Sequence, residues 1–299
     1  MGAKLSYVMK RVFLYIFLAG TGLCIIGCGQ KRVRSEGPAV EGIKINDLKA
    51  SSAMTLPRQI TFQVFIFEAP VESLAGPREL FLGLIRSPLH FTDARAFEAN
   101  GFFAGFGRSE MWNEISARLA RAGAKNKGTN RLIVFDDKGN DVIFTTLASE
   151  QNVFYTTGDG KLAGTSLGNG QLGWRIKAEP IAKVRGACEV KLCPVFKDPM
   201  RNTIARMLGR RQDNEIVFDV GEFELTMSSG DFVLIGPSEY RQTDITLGSL
   251  FFTSRGDFAF PLPQQDDSSE ETRGTRTYKL QKDVELIRLF LIACTGVGD

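Results

Sequence analysis

"VELIRLFLIACT", residues 284–295, decides how this chain folds. A strand covered on one side alternates apolar and polar residues, because successive side chains point to opposite faces. Here the apolar residues fall at both parities, interrupted by Glu285 and Arg288. Such a run belongs to a strand buried on both faces, so it predicts a central strand or one paired on both sides. "ITFQVFIF", residues 60–67, reads in a related way. Ile60, Phe62, Val64 and Ile66 line one face, and Phe65 and Phe67 add a second buried face towards its end.

Between these two stretches, most of the chain from Asn130 onward has a strand pattern. "RLIVF" and "DVIFTTL" flank "DDKGN", which predicts a hairpin turn. "NVFYTT" and "QLGWRIKAEPI" flank a glycine-rich turn region. In the second of these, Trp174, Ile176 and Ala178 alternate with Arg175, Lys177 and Glu179, so one face is wet. "ACEVKLCPVF" and "SGDFVLIGP" are further strands. In "EIVFDVGEFELTM", Ile216, Phe218 and Val220 are even-numbered, whereas Phe223, Leu225 and Met227 are odd-numbered. One regular strand cannot bury both sets on one face, so Gly221 marks a bulge or turn that resets the register. "GFFAGFG", residues 101–107, alternates small and aromatic residues and reads as a strand.

Helical spacing is rarer. One helix is expected around Pro77–Arg86, with Leu80 and Leu84 on its apolar face. A second is expected from Ser109 as cap, through Met111, Ile115, Leu119 and Ala122, to a stop at Gly123. "DPMRNTIARMLGRR" predicts a third, with Asp198 as cap and Pro199 at its first position. Residues from Pro263 to Thr277 are polar and read as a loop. The fold class expected is therefore α+β: β-rich, mainly antiparallel sheet, with two to three short helices.

The N-terminus carries an address. Lys4, Lys10 and Arg11 precede the uncharged run "VFLYIFLAGTGLCIIG", which is shorter than the roughly 20 residues that cross a bilayer and contains Gly20, Thr21 and Gly22. A basic start, a short apolar stretch and a small-residue end mark a secretory signal peptide. Ile25-Ile26-Gly27-Cys28 resembles the lipobox of bacterial lipoproteins. That resemblance implies cleavage before Cys28 and acylation of its thiol and new amino group, whereas at Cys24 the motif fails at Thr21. Two or more acyl chains hold a protein stably on a membrane surface. The expected organisation is a signal peptide (1–27), a tether (28–57), an N-terminal α/β region (58–123) and a β-rich region (124–299), the last two separate or one domain. The expected location is the bacterial cell envelope, anchored through Cys28 to the outer or plasma membrane and exposed outside the cytoplasm.

Charge and chemistry narrow the function. Residues 1–27 hold three of the 37 basic residues and none of the 34 acidic ones, so the rest of the chain is formally neutral. Neutrality argues against nucleic-acid binding, which needs a basic face. Outside the signal, Cys188, Cys193 and Cys294 remain. Cys188 and Cys193 face opposite sides of a continuous strand; a bond from either to Cys294, or three free thiols, is open. His90 is the single histidine, which excludes sites needing two, and no Gly-x-Ser-x-Gly elbow occurs. "GNGQLG", residues 168–173, matches a dinucleotide fingerprint, but "WRIKAE" follows like a strand where a helix is required. "DDKGND" lacks the spacing of a calcium-binding EF-hand loop. No cofactor and no metal site is expected, and no catalytic set. Arg201, Arg206, Arg210 and Arg211 cluster on the third helix as a candidate interaction surface for an acidic partner.

Three stretches in order, "SSGDFVLIGP" (228–237), "TLGSLFF" (246–252) and "VELIRLFLIACTGV" (284–297), resemble the conserved core of bacterial secretins, the ring-forming channels of the outer membrane. "GNGQLGWRIKAEPI" and "ACEVKLCPVF" are similar to that core's paired strands. Thr295 stands where the family has a proline. The resemblance implies self-assembly or protein partners within a secretion or pilus system, and no catalytic residues. The expected function is thus a non-enzymatic envelope lipoprotein with a structural or interaction role. The alternative is an envelope lipoprotein that binds or hydrolyses a ligand in a pocket near His90 and the phenylalanines of "GFFAGFG".

Overall fold

A computed structural model describes residues 59–74, 76–135, 139–182, 184–198, 215–240, 246–261 and 278–298. The signal, the tether, the arginine-bearing third helix and the loop from 263 to 277 lie outside these residues. The described elements are mainly antiparallel strands with a few short helices, as the α+β reading expects.

The central strand is β14 (Tyr278–Val297), the longest of the described strands. It pairs antiparallel along one edge with β1 (Gln59–Pro70) and along the other with β12 (Phe232–Pro237) and β13 (Thr253–Pro261). With β3 (Phe102–Gly107) outside β12 and β4 (Lys125–Phe135) outside β1, these strands form the first sheet, ordered β3-β12-β14-β1-β4. The double-sided apolar pattern of β14 is explained by what covers it. Phe290, Ile292 and Cys294 face one core, while Ile287, Leu289, Leu291 and Ala293 face another. β1 divides in the same way, Phe62 and Val64 from Phe65 and Phe67.

The first core lies between this sheet and a second one. Its strands are β2 (His90–Phe91), β11 (Phe223–Ser228), β9 (Ala187–Lys197), β8 (Gly170–Pro180) and β5 (Asn140–Leu147), in that order, with β10 (Glu215–Val217) also on β9. Trp174, Ile176, Val190, Leu192, Phe223 and Leu225 point inward, and Trp174 meets Phe102, Phe251 and Phe290 edge to face. Such aromatic pairs add about 0.5–1.5 kcal/mol each beyond the area they bury. The second core lies on the far side of the first sheet, under α2 (Trp112–Arg121), where Trp112, Ile115 and Leu119 are buried.

The reset at Gly221 is a 3-10 turn, Asp219–Gly221, between β10 and β11. A Cβ there would lie 2.4 Å from the Pro194 ring, so the close approach requires glycine.

Four expectations are corrected. "DDKGN" does not join a hairpin: β4 pairs with β1 in the first sheet and β5 with β8 in the second. A local turn signal does not choose a strand's partners, and Val142 and Leu147 of β5 belong to the inter-sheet core. The helix at Pro77–Arg86 is only a 3-10 turn, Pro77–Phe81. Gly83 at φ 82° ends it, and Ile85 is recruited as a bridge to Phe106. Ser109 opens a 3-10 turn ahead of α2, and its hydroxyl lies 3.4 Å from Glu110 instead of capping a backbone N–H. The glycine-rich stretch after "NVFYTT" contains a strand, so β6 (Gln151–Thr156) and β7 (Leu162–Leu167) form their own hairpin.

Candidate interaction site

Two short helices shape a rim where polar side chains converge on a hollow. Asp93 caps α1 (Ala94–Ala99), its carboxylate accepting from the Ala96 N–H at 2.8 Å. α3 (Leu247–Phe252) begins with a reciprocal cap. The Ser249 N–H donates to Thr246 Oγ1 at 3.2 Å, and the Thr246 N–H donates to Ser249 Oγ at 3.0 Å. The two helices touch at glycines. A Cβ on Gly248 would sit 2.3 Å from the Asn100 carbonyl oxygen, so only a bare Cα lets α3 reach the end of α1.

Against this contact lies a cleft of about 260 Å³ lined by Arg78, Glu98, Ser238, Thr246, Ser249 and Phe252, among others. Arg78 donates from Nε to the Ser238 carbonyl at 3.3 Å, and its guanidinium stands 5.7 Å from the Phe103 ring centroid. Arg86 covers the same ring at 4.8 Å and pairs with Glu98 at 2.7 Å. A shallower hollow of about 530 Å³ adjoins, sharing Arg78, Ser238 and Glu239 and adding Val71, Leu74, Tyr240 and Ile287. The Tyr240 hydroxyl donates to Glu285 at 2.5 Å; burial and that carboxylate push its pKa up to about 12.

A second polar surface covers the outer face of the second sheet. Arg175 is held between two carboxylates, donating from Nε to Asp141 at 2.8 Å and from Nη2 to Glu215 at 2.6 Å, with Lys197 also on Asp141. Burial alone would raise the Asp141 pKa, but the bonds from Arg175 and Lys197 outweigh it and hold the carboxyl below its ordinary value. Lys191 bridges Glu222 at 2.6 Å and Glu224 at 3.0 Å. These pairs satisfy one another, which is the ordinary condition of a wet sheet face.

Of the residues singled out from sequence, Cys28, Arg201, Arg206, Arg210 and Arg211 lie outside the described residues. His90 is exposed on β2, opposite Glu224, and does not line the cleft. Phe102 and Phe106 are packed in the inter-sheet core, and Phe103 lies under the two guanidinium groups. The cleft itself, at Arg78, Glu98 and Ser249, was not legible in the sequence; the Thr246/Ser249 pair before "LFF" was the one local signal, a cap. Among the described residues no group of three or more His, Cys, Asp or Glu side chains could hold a metal ion, and no helix is long and apolar enough to cross a membrane.

The three stretches that resemble the secretin core are folded against one another. β12 pairs with β14 from Phe232↔Ala293 to Ile235↔Phe290, and Phe251 and Phe252 of α3 share the core with Phe290. β8 and β9, the other two stretches, pair antiparallel from Gln171↔Lys197 to Pro180↔Cys188.

No protein-family model matches this chain, and no curated protein does. Among solved structures it is similar to the Salmonella SPI-1 type III secretion injectisome secretin InvG. In a cryo-EM structure of that secretin the identity is 11%, covering 82% of this chain and 66% of the other, with a TM-score of 0.26. In an atomic model of the basal body proteins InvG, PrgH and PrgK the identity is 11% and the TM-score again 0.26, with 47% of that chain covered. The InvG secretin-domain β-barrel gives 11% and 0.21 over 64% of its length. The chain thus spans about half to two thirds of these proteins, and the resemblance is a distant one.

Proposed function

We propose that this protein is an exported bacterial envelope lipoprotein, anchored through Cys28, whose body is a divergent secretin-like component with a structural or interaction role. The observation that supports it most is the meeting of "SSGDFVLIGP", "TLGSLFF" and "VELIRLFLIACTGV" in one packed unit, as β12, α3 and β14. Three degenerate motifs spread over about seventy residues gain weight when they form one substructure. The reading predicts that the protein works by self-association or by holding other envelope proteins.

Anchoring and assembly are tested separately. Cells fed labelled palmitate should label the wild type and Cys24→Ser but not Cys28→Ser; label retained on Cys28→Ser refutes the anchor. Protein extracted from envelopes in mild detergent should run as a high-order oligomer with rings in negative stain. A strict monomer in envelope extracts refutes the secretin-like role.

The cleft at Arg78 favours a second reading, a lipoprotein that binds an envelope ligand. It combines one guanidinium with hydroxyls and an apolar wall at Phe252. If that reading holds, Arg78→Ala should abolish binding of an envelope-derived anionic ligand while leaving thermal stability within a few degrees.

A further inference from the structure

Cys188 lies at the start of β9 in the second sheet and Cys294 near the end of β14 in the first, yet both lie against a single turn. Cys188 is in register with Met227 at the end of β11, and its thiol donates to the Met227 carbonyl at 3.5 Å. The chain then crosses to the first sheet within a few residues, with Gly230 at φ 94°. On arrival the Gly230 N–H donates to the Cys294 carbonyl at 2.8 Å, and the Cys294 N–H donates to the Asp231 carbonyl at 2.9 Å. The β11–β12 turn therefore clamps both cysteines at the point where the sheets are stitched together. Both side chains are fully buried in the inter-sheet core, as free thiols. Cys193 is elsewhere. It is in register with Arg175 on the other face of the sheet, with its thiol 3.8 Å from the Phe218 carbonyl.

We propose that Cys188 and Cys294 are the site of an inter-sheet disulfide, closed while the chain folds. A thiolate of the pair attacks one sulfur of a small or protein disulfide oxidant and expels the other sulfur as a thiolate. The second cysteine then attacks the mixed disulfide, the S–S bond forms, and the oxidant leaves fully reduced. Two protons and two electrons have left the protein, the electrons now on the oxidant's two thiols. Closure comes before the sheets seal. In the packed core the neighbouring Cys294 and burial raise the Cys188 pKa, which suppresses the thiolate that exchange requires. The bond pins the two sheets across a loop of about 100 residues, a length at which a cross-link strongly restricts the unfolded chain. The oxidising compartment is the one that export, as proposed above, would reach. The chemistry itself is testable on purified protein, so failure of the lipid-anchor reading would leave it standing.

The full chain, reduced and unfolded in urea, is refolded with a mixture of oxidised and reduced glutathione, quenched with acid, and alkylated in denaturant. Peptide mapping should recover Cys188 linked to Cys294 and Cys193 alkylated, and the urea midpoint should fall once the bond is reduced before unfolding. Cys193→Ser should keep the linkage. Cys294→Ser should leave Cys188 alkylated, and should it fail to fold, the wild-type map alone carries the test. Cys188 and Cys294 both alkylated after refolding, or Cys193 in the linkage, would overturn the proposal.

Discussion

Replacing Asn100 by alanine should loosen the β6–β7 hairpin from the rest of the molecule, at a cost that can be worked out in advance. Asn100 follows α1 and is almost fully buried, at 2% exposure. Its Nδ2 donates to the Ala96 carbonyl and to the Thr156 carbonyl, both at 2.7 Å, and its Oδ1 accepts the Thr156 N–H at 2.7 Å. The side chain thus imitates a neighbouring strand for the end of β6. Each bond is worth about 1 kcal/mol net, and the groups left behind lose their partners. The loss is tempered at two places. Thr156 is half-buried, so water reaches it in part, and the Ala96 carbonyl still accepts the Asn100 N–H at 3.0 Å. The expected destabilisation is about 2–3 kcal/mol. For a urea slope of about 2–3 kcal/mol per molar, the midpoint falls by about 1 M. Asn100→Asp should cost more at neutral pH, because it sets a carboxylate against two carbonyl oxygens. Urea unfolding followed by circular dichroism measures both, and hydrogen exchange should rise first across residues 151–167. An Asn100→Ala loss below about 0.5 kcal/mol, or an aspartate variant no worse than alanine, would show that these bonds do not hold the hairpin.

Gly248→Ala should cost about 1–3 kcal/mol in the same assay, since its Cβ would meet the Asn100 carbonyl at 2.3 Å and α3 must back away. Arg288 is buried on the central strand, paired with Glu68 at 3.3 Å and 5.1 Å from the Phe144 ring centroid. Arg288→Ala should therefore lose about 3–5 kcal/mol, whereas Arg288→Met with Glu68→Gln should recover most of it. Acid titration separates two aspartates of opposite sign. The lowered Asp141 contributes stability above the ordinary aspartate pKa that is lost as pH falls through its native value, so Asp141→Asn is at its greatest disadvantage at neutral pH. Burial raises Asp231, whose contribution is present in acid and lost as pH rises, so Asp231→Asn fares better against wild type at neutral pH than in acid. Stability curves of the two variants running parallel with pH would contradict both assignments.

Much of the body was legible because burial imprints a period on each strand. The apolar run from 284 to 295, the alternation at Trp174, Ile176 and Ala178, and the parity switch at Gly221 each named a strand, a face or a break that the structure contains. The opposite facing of Cys188 and Cys193 followed from the same period. Pairing was not legible. "DDKGN" looks like a hairpin turn whichever strands its flanks join, and only the competition for edges sends β4 to β1 and β5 to β8. The cleft was equally hidden, since Arg78, Glu98, Ser238 and Ser249 are far apart in the chain and meet because Gly248 lets α3 touch α1. What the sequence determined by itself was the environment of each strand, because side-chain polarity records whether a face meets core or water. What only the tertiary structure decided was which strands are neighbours, and with that the placing of Cys188 and Cys294 at one turn between the sheets, because neighbours are chosen by long-range burial that no local pattern encodes.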